Sequence, residues 1–305
     1  MTAKDCKRFD LSANRPSVLL FGNGIIREEG RNWNDTLQMF SDGSDEAGRI
    51  CHSEAPNILK LTAVAGTNDN ERQYQYRNNI RSSNNTQHLQ ALLELPFDAV
   101  LTTNFTYEAE TLLYPRYESL SLSGKRNYAH TVGREPKCAV DTRFLLHTFN
   151  RLKDVDLWHI HGELRLQSSI VFELDEYVRL IRRITNYNAK NANRYYEDYA
   201  DLAFSSWIDY LIMGDVYVVG QGLDYSELDL WWLLNRRRRE KAGVGSYFYY
   251  APQETSLTAA KKAILKRLNV AHMDMGMTAD SSAVYDEFYK RAIDDIRERL
   301  GGSVK

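Results

Sequence analysis

The chain has 305 residues, 43% hydrophobic and 26% charged, a balance that can bury a sizeable core and that excludes a disordered or low-complexity class. Thirty-nine basic against 41 acidic residues leave a formal charge of −2, so no global positive field points to a phosphate polymer, and direct nucleic-acid binding is not predicted. No stretch reaches the roughly 18 uninterrupted apolar residues of a membrane span, and the scattered cysteines Cys6, Cys51 and Cys138, without a CxxC pair, fit a reducing, cytoplasmic setting.

Ser17 to Phe21 is the first short apolar run and reads as a strand. Gly22, Asn23, Gly24 and Ile25 follow it. Glycines at such a turn let a pyrophosphate approach the backbone, with its charge against the free N–H groups of a helix over IREEGRNWNDTLQMF, residues 26–40. A lone GxG after a strand is more often a plain tight turn, so its weight comes from agreement with the other segments. The polar stretch from Gly66 to Gln90 fits an exposed helix or a loop.

Ala99 to Thr103 reads as a buried strand, with Thr102, Thr103, Asn104 and Phe105 at its carboxyl end. A carboxamide there offers two donors and an acceptor without charge, enough to hold a ribose hydroxyl or a water. Asn104 could instead cap a helix over Tyr107 to Leu113. Residues 114–150 and 173–213 interrupt the strand–helix rhythm and are expected as insertions over the crevice, serving as lids or partner surfaces.

The next strand, Asp156 to Ile160, carries His159, and two-residue periodicity places His159 and His161 on the same side, with Trp158 and Ile160 opposite. Gly162 leaves room beside the imidazole of His161, which suits a general base or a ribose contact. No carboxylate or cysteine cluster completes a ligand set in the sequence, so no metal is expected.

Val216 to Val219 ends in Gly220, Gln221, Gly222 and Leu223. That segment would let a second part of an extended ligand, such as the adenosine half of a dinucleotide, approach closely, or it is a β-to-α turn capped by Asp224 or Ser226. A helix over Glu227 to Arg238 follows, with Leu228, Trp231, Trp232 and Leu234 as an inward stripe and Arg236 to Arg239 as solvated cations at its negative end. Strands at Ser246 to Tyr250 and Val270 to Met273, and helices at Ser256 to Leu268 and Ser282 to Leu300, complete the chain. The alternation predicts one α/β domain over residues 1–305. It has a Rossmann-like parallel sheet flanked by helices, helical insertions over the ligand crevice, and strand ends facing one ligand.

GNGI at 22–25, FDAVLTTNF at 97–105, HIHGEL at 159–164, SSIVFELDEY at 168–177 and VVGQGLDYSELDLWWLL at 218–234 occur in that order. Together they resemble the sirtuin superfamily, in particular its zinc-less bacterial branch associated with antiphage defence. The resemblance implies NAD as substrate, with Asn104 and His161 at the catalytic Asn and His positions. Gly22, Asn23, Gly24, Ile25, Thr102, Thr103, Phe105, Gly220, Gln221, Gly222 and Leu223 would lie along the cofactor. Deacylating sirtuins hold a structural zinc with two cysteine pairs after the HG strand, whereas no cysteine follows Gly162 here. Thr106 and Ile26 also depart from that branch, which commonly has Asp and Ser there.

The implied activity is NAD glycohydrolysis to nicotinamide and ADP-ribose, in an NAD-depleting defence effector. A homo-oligomer or a separate activator of ATPase or Argonaute type is the expected partner. A silent NAD or ADP-ribose binding subunit, and ADP-ribosyl transfer or cyclisation, are the alternatives. Nicotinamide leaves NAD as a neutral group, so the paired carboxylates of ordinary glycosidases are not required.

Overall fold

The computed structural model describes residues 6–27, 33–65, 80, 82–121, 124–125, 128–131, 145–164, 166–191, 201–240, 244–253, 259–278 and 282–302. Its strands are β1 (Lys7–Phe9), β2 (Ser17–Phe21), β3 (Ala99–Thr102), β4 (Ala129–Thr131), β5 (Thr148–Leu152), β6 (Val155–His159), β7 (Leu202–Phe204), β8 (Asp215–Val219), β9 (Tyr247–Tyr250) and β10 (Ala271–Met273). Eight of them form one sheet in the order β10-β9-β8-β2-β3-β6-β5-β4, and β1 pairs antiparallel with β7 in a small separate ribbon. From β10 to β6 every neighbouring pair is parallel, while β5 and β4 add antiparallel pairings at one edge. The parallel α/β sheet read from the sequence is therefore present, with strand bounds shifted by a residue or so at β3, β6, β8, β9 and β10.

Strands such as SVLLF and DVYVV are apolar on both faces because both faces are covered by helices. Val18, Leu20, Leu101, Trp158, Val216 and Tyr249 join one core, and Leu19, Phe21, Val100, Leu157, Tyr217 and Tyr250 join the other. The helices are α1 (Trp33–Phe40), α2 (Asp45–His52), α3 (Asn57–Val64), α4 (Gln87–Leu93), α5 (Glu108–Leu113), α6 (Leu174–Asn191), α7 (Trp207–Met213), α8 (Leu228–Arg239), α9 (Ala259–Arg267) and α10 (Ser282–Gly302). Helices α6, α7 and α8 cover the first face, and α4 and α10 cover the second. Among the described residues no helix is long and apolar enough to cross a membrane.

The expected lids turn out differently. In 114–150 the described residues 145–150 lead into β5, which pairs between β6 and edge strand β4, and bury Leu145, Leu146 and Phe149 in the core, while 132–144 lie outside the described residues. Within 173–213, all seven residues of α7 are buried: six are apolar or aromatic, and the seventh, Asp209, turns back into the Ser206 capping box and accepts the Ser205 and Ser206 N–H groups. Among the described residues of this segment, the start of α6 reaches the crevice, where Tyr177 meets His161. Among the described residues, α1–α3 pack over the strand ends. Leu37, Phe40, Cys51, Leu61 and Val64 form a small core of their own with Ile170 and Phe172, against which Phe105 and Leu164 pack. Most of the 66–90 stretch lies outside the described residues, as does Cys138.

Two further expectations change. The inward stripe of α8 consists of Asp229, Leu230, Leu233, Leu234 and Arg237, with Leu228, Trp231 and Trp232 only half-buried. Arg237 is not a solvated end charge: it is 4% exposed. Its guanidinium donates to the Leu211, Ile212 and Gly214 carbonyls at the end of α7, and to those of Gly245 and Ser246 before β9. Five carbonyl acceptors thus take the place of a carboxylate partner, and burial lowers its pKa to about 10.

Candidate functional site

The site is built where β2, β3, β6 and β8 end side by side. Register pairs Thr102 with His159, so Asn104 and His161 each stand two residues past the same pairing, on neighbouring strand ends. The strand break is local chemistry: Thr102 Oγ1 accepts the Asn104 N–H at 3.0 Å, and Gly162 turns the chain at φ 90°. A Cβ at Gly162 would lie 2.2 Å from the Ser169 carbonyl oxygen, so only glycine lets the 167–171 segment pass so close.

The turn sends the two histidines to different partners, contrary to the shared side predicted by alternation. His161 Nε2 lies 3.0 Å from Asp229 Oδ2, and its Nδ1 is 3.7 Å from Glu227 Oε2. Tyr177, from α6, donates its hydroxyl to Glu227 at 3.2 Å and sets its ring edge against the imidazole at 5.4 Å. His159 faces α5 instead: its Nε2 is 2.7 Å from Glu110 Oε1 and its Nδ1 is 2.8 Å from the Asn104 carbonyl oxygen. Period-2 geometry holds only inside a strand, and β6 stops at His159.

His161, Asp229 and Glu227 are 3%, 0% and 7% exposed. Burial by itself would lower the His161 pKa, but the Asp229 and Glu227 carboxylates reverse this and hold it above the ordinary imidazole value. The two carboxylates thus favour the charged form of the ring over the neutral one. Burial pushes the Glu227 carboxyl up to about 7 against the pull of His161, so Glu227 is the group poised to exchange a proton. His159 is likewise held charged, to about 9, by Glu110 acting against burial.

Asn104 does not cap α5, whose N-cap position is Tyr107, without a side-chain cap. Its backbone carbonyl serves His159, while its side-chain Nδ2 is buried without a hydrogen-bond partner. Asp229 Oδ1 is buried and unmatched in the same way. Unpaired buried polar atoms are costly, so two of them beside one crevice suit a ligand more than a finished core.

The glycine segments serve each other. Gly24 N–H donates to the Gly220 carbonyl at 2.7 Å, a Cβ on Gly24 would fall 2.6 Å from that oxygen, and one on Gly220 would fall 2.3 Å from the Ile25 nitrogen. Gly22, Gly24 and Gly220 are therefore required by loop-to-loop contact, and Gly222 alone faces open space. No long helix begins at the first turn: Asn23–Ile26 is a single 3-10 turn, and 28–32 lie outside the described residues. Ile25 and Leu223 point into the two cores, with Leu223 at a left-handed φ of 45°. Asn23 is exposed, and Thr103 and Phe105 are half-buried at the crevice. Gln221 donates to Thr103 Oγ1 at 3.2 Å and ties the β8 end to the β3 end. Neither Asp224 nor Ser226 caps α8: Asp224 accepts the Ser226 N–H at 2.8 Å within the turn, and Glu227 occupies the N-cap position.

Sequence reasoning brought Asn104 and His161 to adjacent strand ends but missed Glu227, Asp229, Tyr177 and the His159–Glu110 pair. A signal existed for Asp229, since an acidic residue stands between Leu228 and Leu230 on the inward face of an otherwise apolar helix start. His161, Glu227 and Asp229 each offer one ligand atom, all within 4.8 Å of one another. In the sequence no carboxylate stood out to complete a ligand set with His161, whereas the fold brings these two to it from the start of α8. Comparison with protein-family models and with curated proteins finds no match to this chain.

Proposed function

We propose that this protein is an NAD glycohydrolase of sirtuin-like type, cleaving NAD to nicotinamide and ADP-ribose. The observation that carries the reading is that Asn104, with an unpartnered Nδ2, and the His161–Asp229–Glu227 group stand at adjacent strand ends. The bond from the ribose C1 to the nicotinamide nitrogen breaks with its electron pair going to the nitrogen, and the cationic ring departs neutral. Water then adds to the oxocarbenium-like carbon and releases one proton. Asn104 orients the ribose and the water, Glu227 accepts the proton, and His161, hydrogen-bonded to Asp229 and facing Glu227, holds the two carboxylates in place. The carboxylates of that group also oppose the positive charge that develops on the sugar.

A role as an NAD-depleting cytoplasmic defence effector, switched on by self-assembly or by a separate ATPase or Argonaute-type activator, rests on the sequence resemblance. The burial of His161 and Asp229 favours, as second reading, a silent NAD or ADP-ribose binding subunit. Nicotinamide release, followed chromatographically for the purified chain alone and with candidate activators, separates the two. NAD binding without release in any assembled state overturns the enzyme. A cyclic product or a modified macromolecule, identified by mass spectrometry, would replace hydrolysis by cyclisation or transfer.

A further inference from the structure

Helices α6 and α8 run side by side from the His161 group, with Tyr177 and Glu227 near their N-terminal ends. At their C-terminal ends lies a separate cavity of about 200 Å³, lined among others by Thr185, Asn188, Trp232, Asn235, Arg236 and Arg239. Thr185 and Asn188 in this lining are 8 and 11 positions along α6 from Tyr177, about 12–16 Å at the helical rise.

One side chain marks the cavity as built for a ligand. Asn188 is 4% exposed, lines the cavity, and has neither its Nδ2 nor its Oδ1 hydrogen-bonded. Leaving both halves of a buried carboxamide unmatched costs on the order of 1–3 kcal/mol per group, which is recovered only when something presents a donor and an acceptor together. The Watson–Crick or Hoogsteen edge of adenine does this, and a carboxamide pairs with it through two hydrogen bonds. Beside Asn188, Trp232 offers a half-buried indole on which a base can stack. Arg239 makes no ion pair among the described residues, and Arg236 has a buried unpaired Nε although its other nitrogen is salt-bridged to Glu240 at 2.5 Å. The half-charges of two helix C-termini there are negative, so an anion is held only because the arginines outweigh them.

We infer that this cavity between α6 and α8 binds an adenine mononucleotide, with the base against Trp232 and Asn188 and the phosphate at Arg239 and Arg236. The assignment does not depend on the NAD-cleaving reading.

Calorimetric titration of the full chain with AMP at low salt tests it, with adenosine and inorganic phosphate as separate probes. Saturable AMP binding is expected, at least tenfold tighter than adenosine, with no saturation by millimolar phosphate. Asn188→Leu should weaken AMP at least tenfold. Arg239→Ala, an exposed position that leaves folding intact, should remove the preference for AMP over adenosine. Absence of saturable AMP binding, phosphate binding as tightly as AMP, or AMP binding lost in Asn104→Ala but kept in Arg239→Ala would each overturn the assignment.

Discussion

His161 on the β6 strand end and Asp229 on the first turn of α8 are 68 positions apart in the chain and 3.0 Å apart in space, both buried. Asp229→Asn keeps the shape and removes the charge that favours a protonated His161. Breaking a buried pair from one side leaves the other charge uncompensated, at about 3 kcal/mol. Urea unfolding should show that loss, and NAD turnover should fall at least a hundredfold. Unchanged stability and turnover would show that the pair carries neither role.

Asn104→Ala should separate activity from stability. The carboxamide nitrogen has no protein partner, and the backbone contacts to Thr102 and His159 survive truncation. The expected result is a loss of 10² to 10³ in NAD turnover with a stability change under about 1 kcal/mol. A large stability loss in denaturant titration would instead make Asn104 a structural residue.

The two charged histidine environments give distinct pH windows. His159 is raised from 6.5 to about 9, so the stability it contributes is complete below pH 6.5 and is lost as pH rises through 9, on the order of 3 kcal/mol. The Glu227 carboxyl, raised from 4.5 to about 7, makes the fold less stable as pH climbs from 4.5 through 7. Stability measured against pH should flatten in the alkaline window for His159→Gln and in the acidic window for Glu227→Gln. Glu227→Gln should also remove a limb near pH 7 from the NAD turnover profile.

Gly220 and Gly222 should respond oppositely to one methyl group. Gly220→Ala places a Cβ 2.3 Å from the Ile25 nitrogen at φ 67°, and the combined strain and clash should cost about 2–3 kcal/mol in thermal or chemical unfolding. Gly222→Ala meets no atom within 4 Å and should fold like the wild type. If Gly222 lies against the cofactor, that variant will raise KM for NAD without changing stability.

The six parallel strands were legible in the chain because a parallel sheet covered on both faces demands short apolar runs, and runs such as SVLLF and DVYVV show themselves without context, whereas the antiparallel strands β1, β4, β5 and β7 went unread. Strand ends were legible too, since Asn104 and His161 interrupt those runs. The partners of the site were not. Asp229 shows in sequence only as an acid among apolar residues at a helix start, and the packing of α8 against the β6 end is what turns it toward His161. Arg237 looked like three neighbouring arginines, and the helix phase that buries it depends on where α7 lies. Local spacing determines which segments become strand or helix, because those patterns repeat within a few residues. Which buried charge meets which, and whether a glycine serves a ligand or a neighbouring loop, was decided by contacts between segments far apart in the chain, to which no local pattern refers.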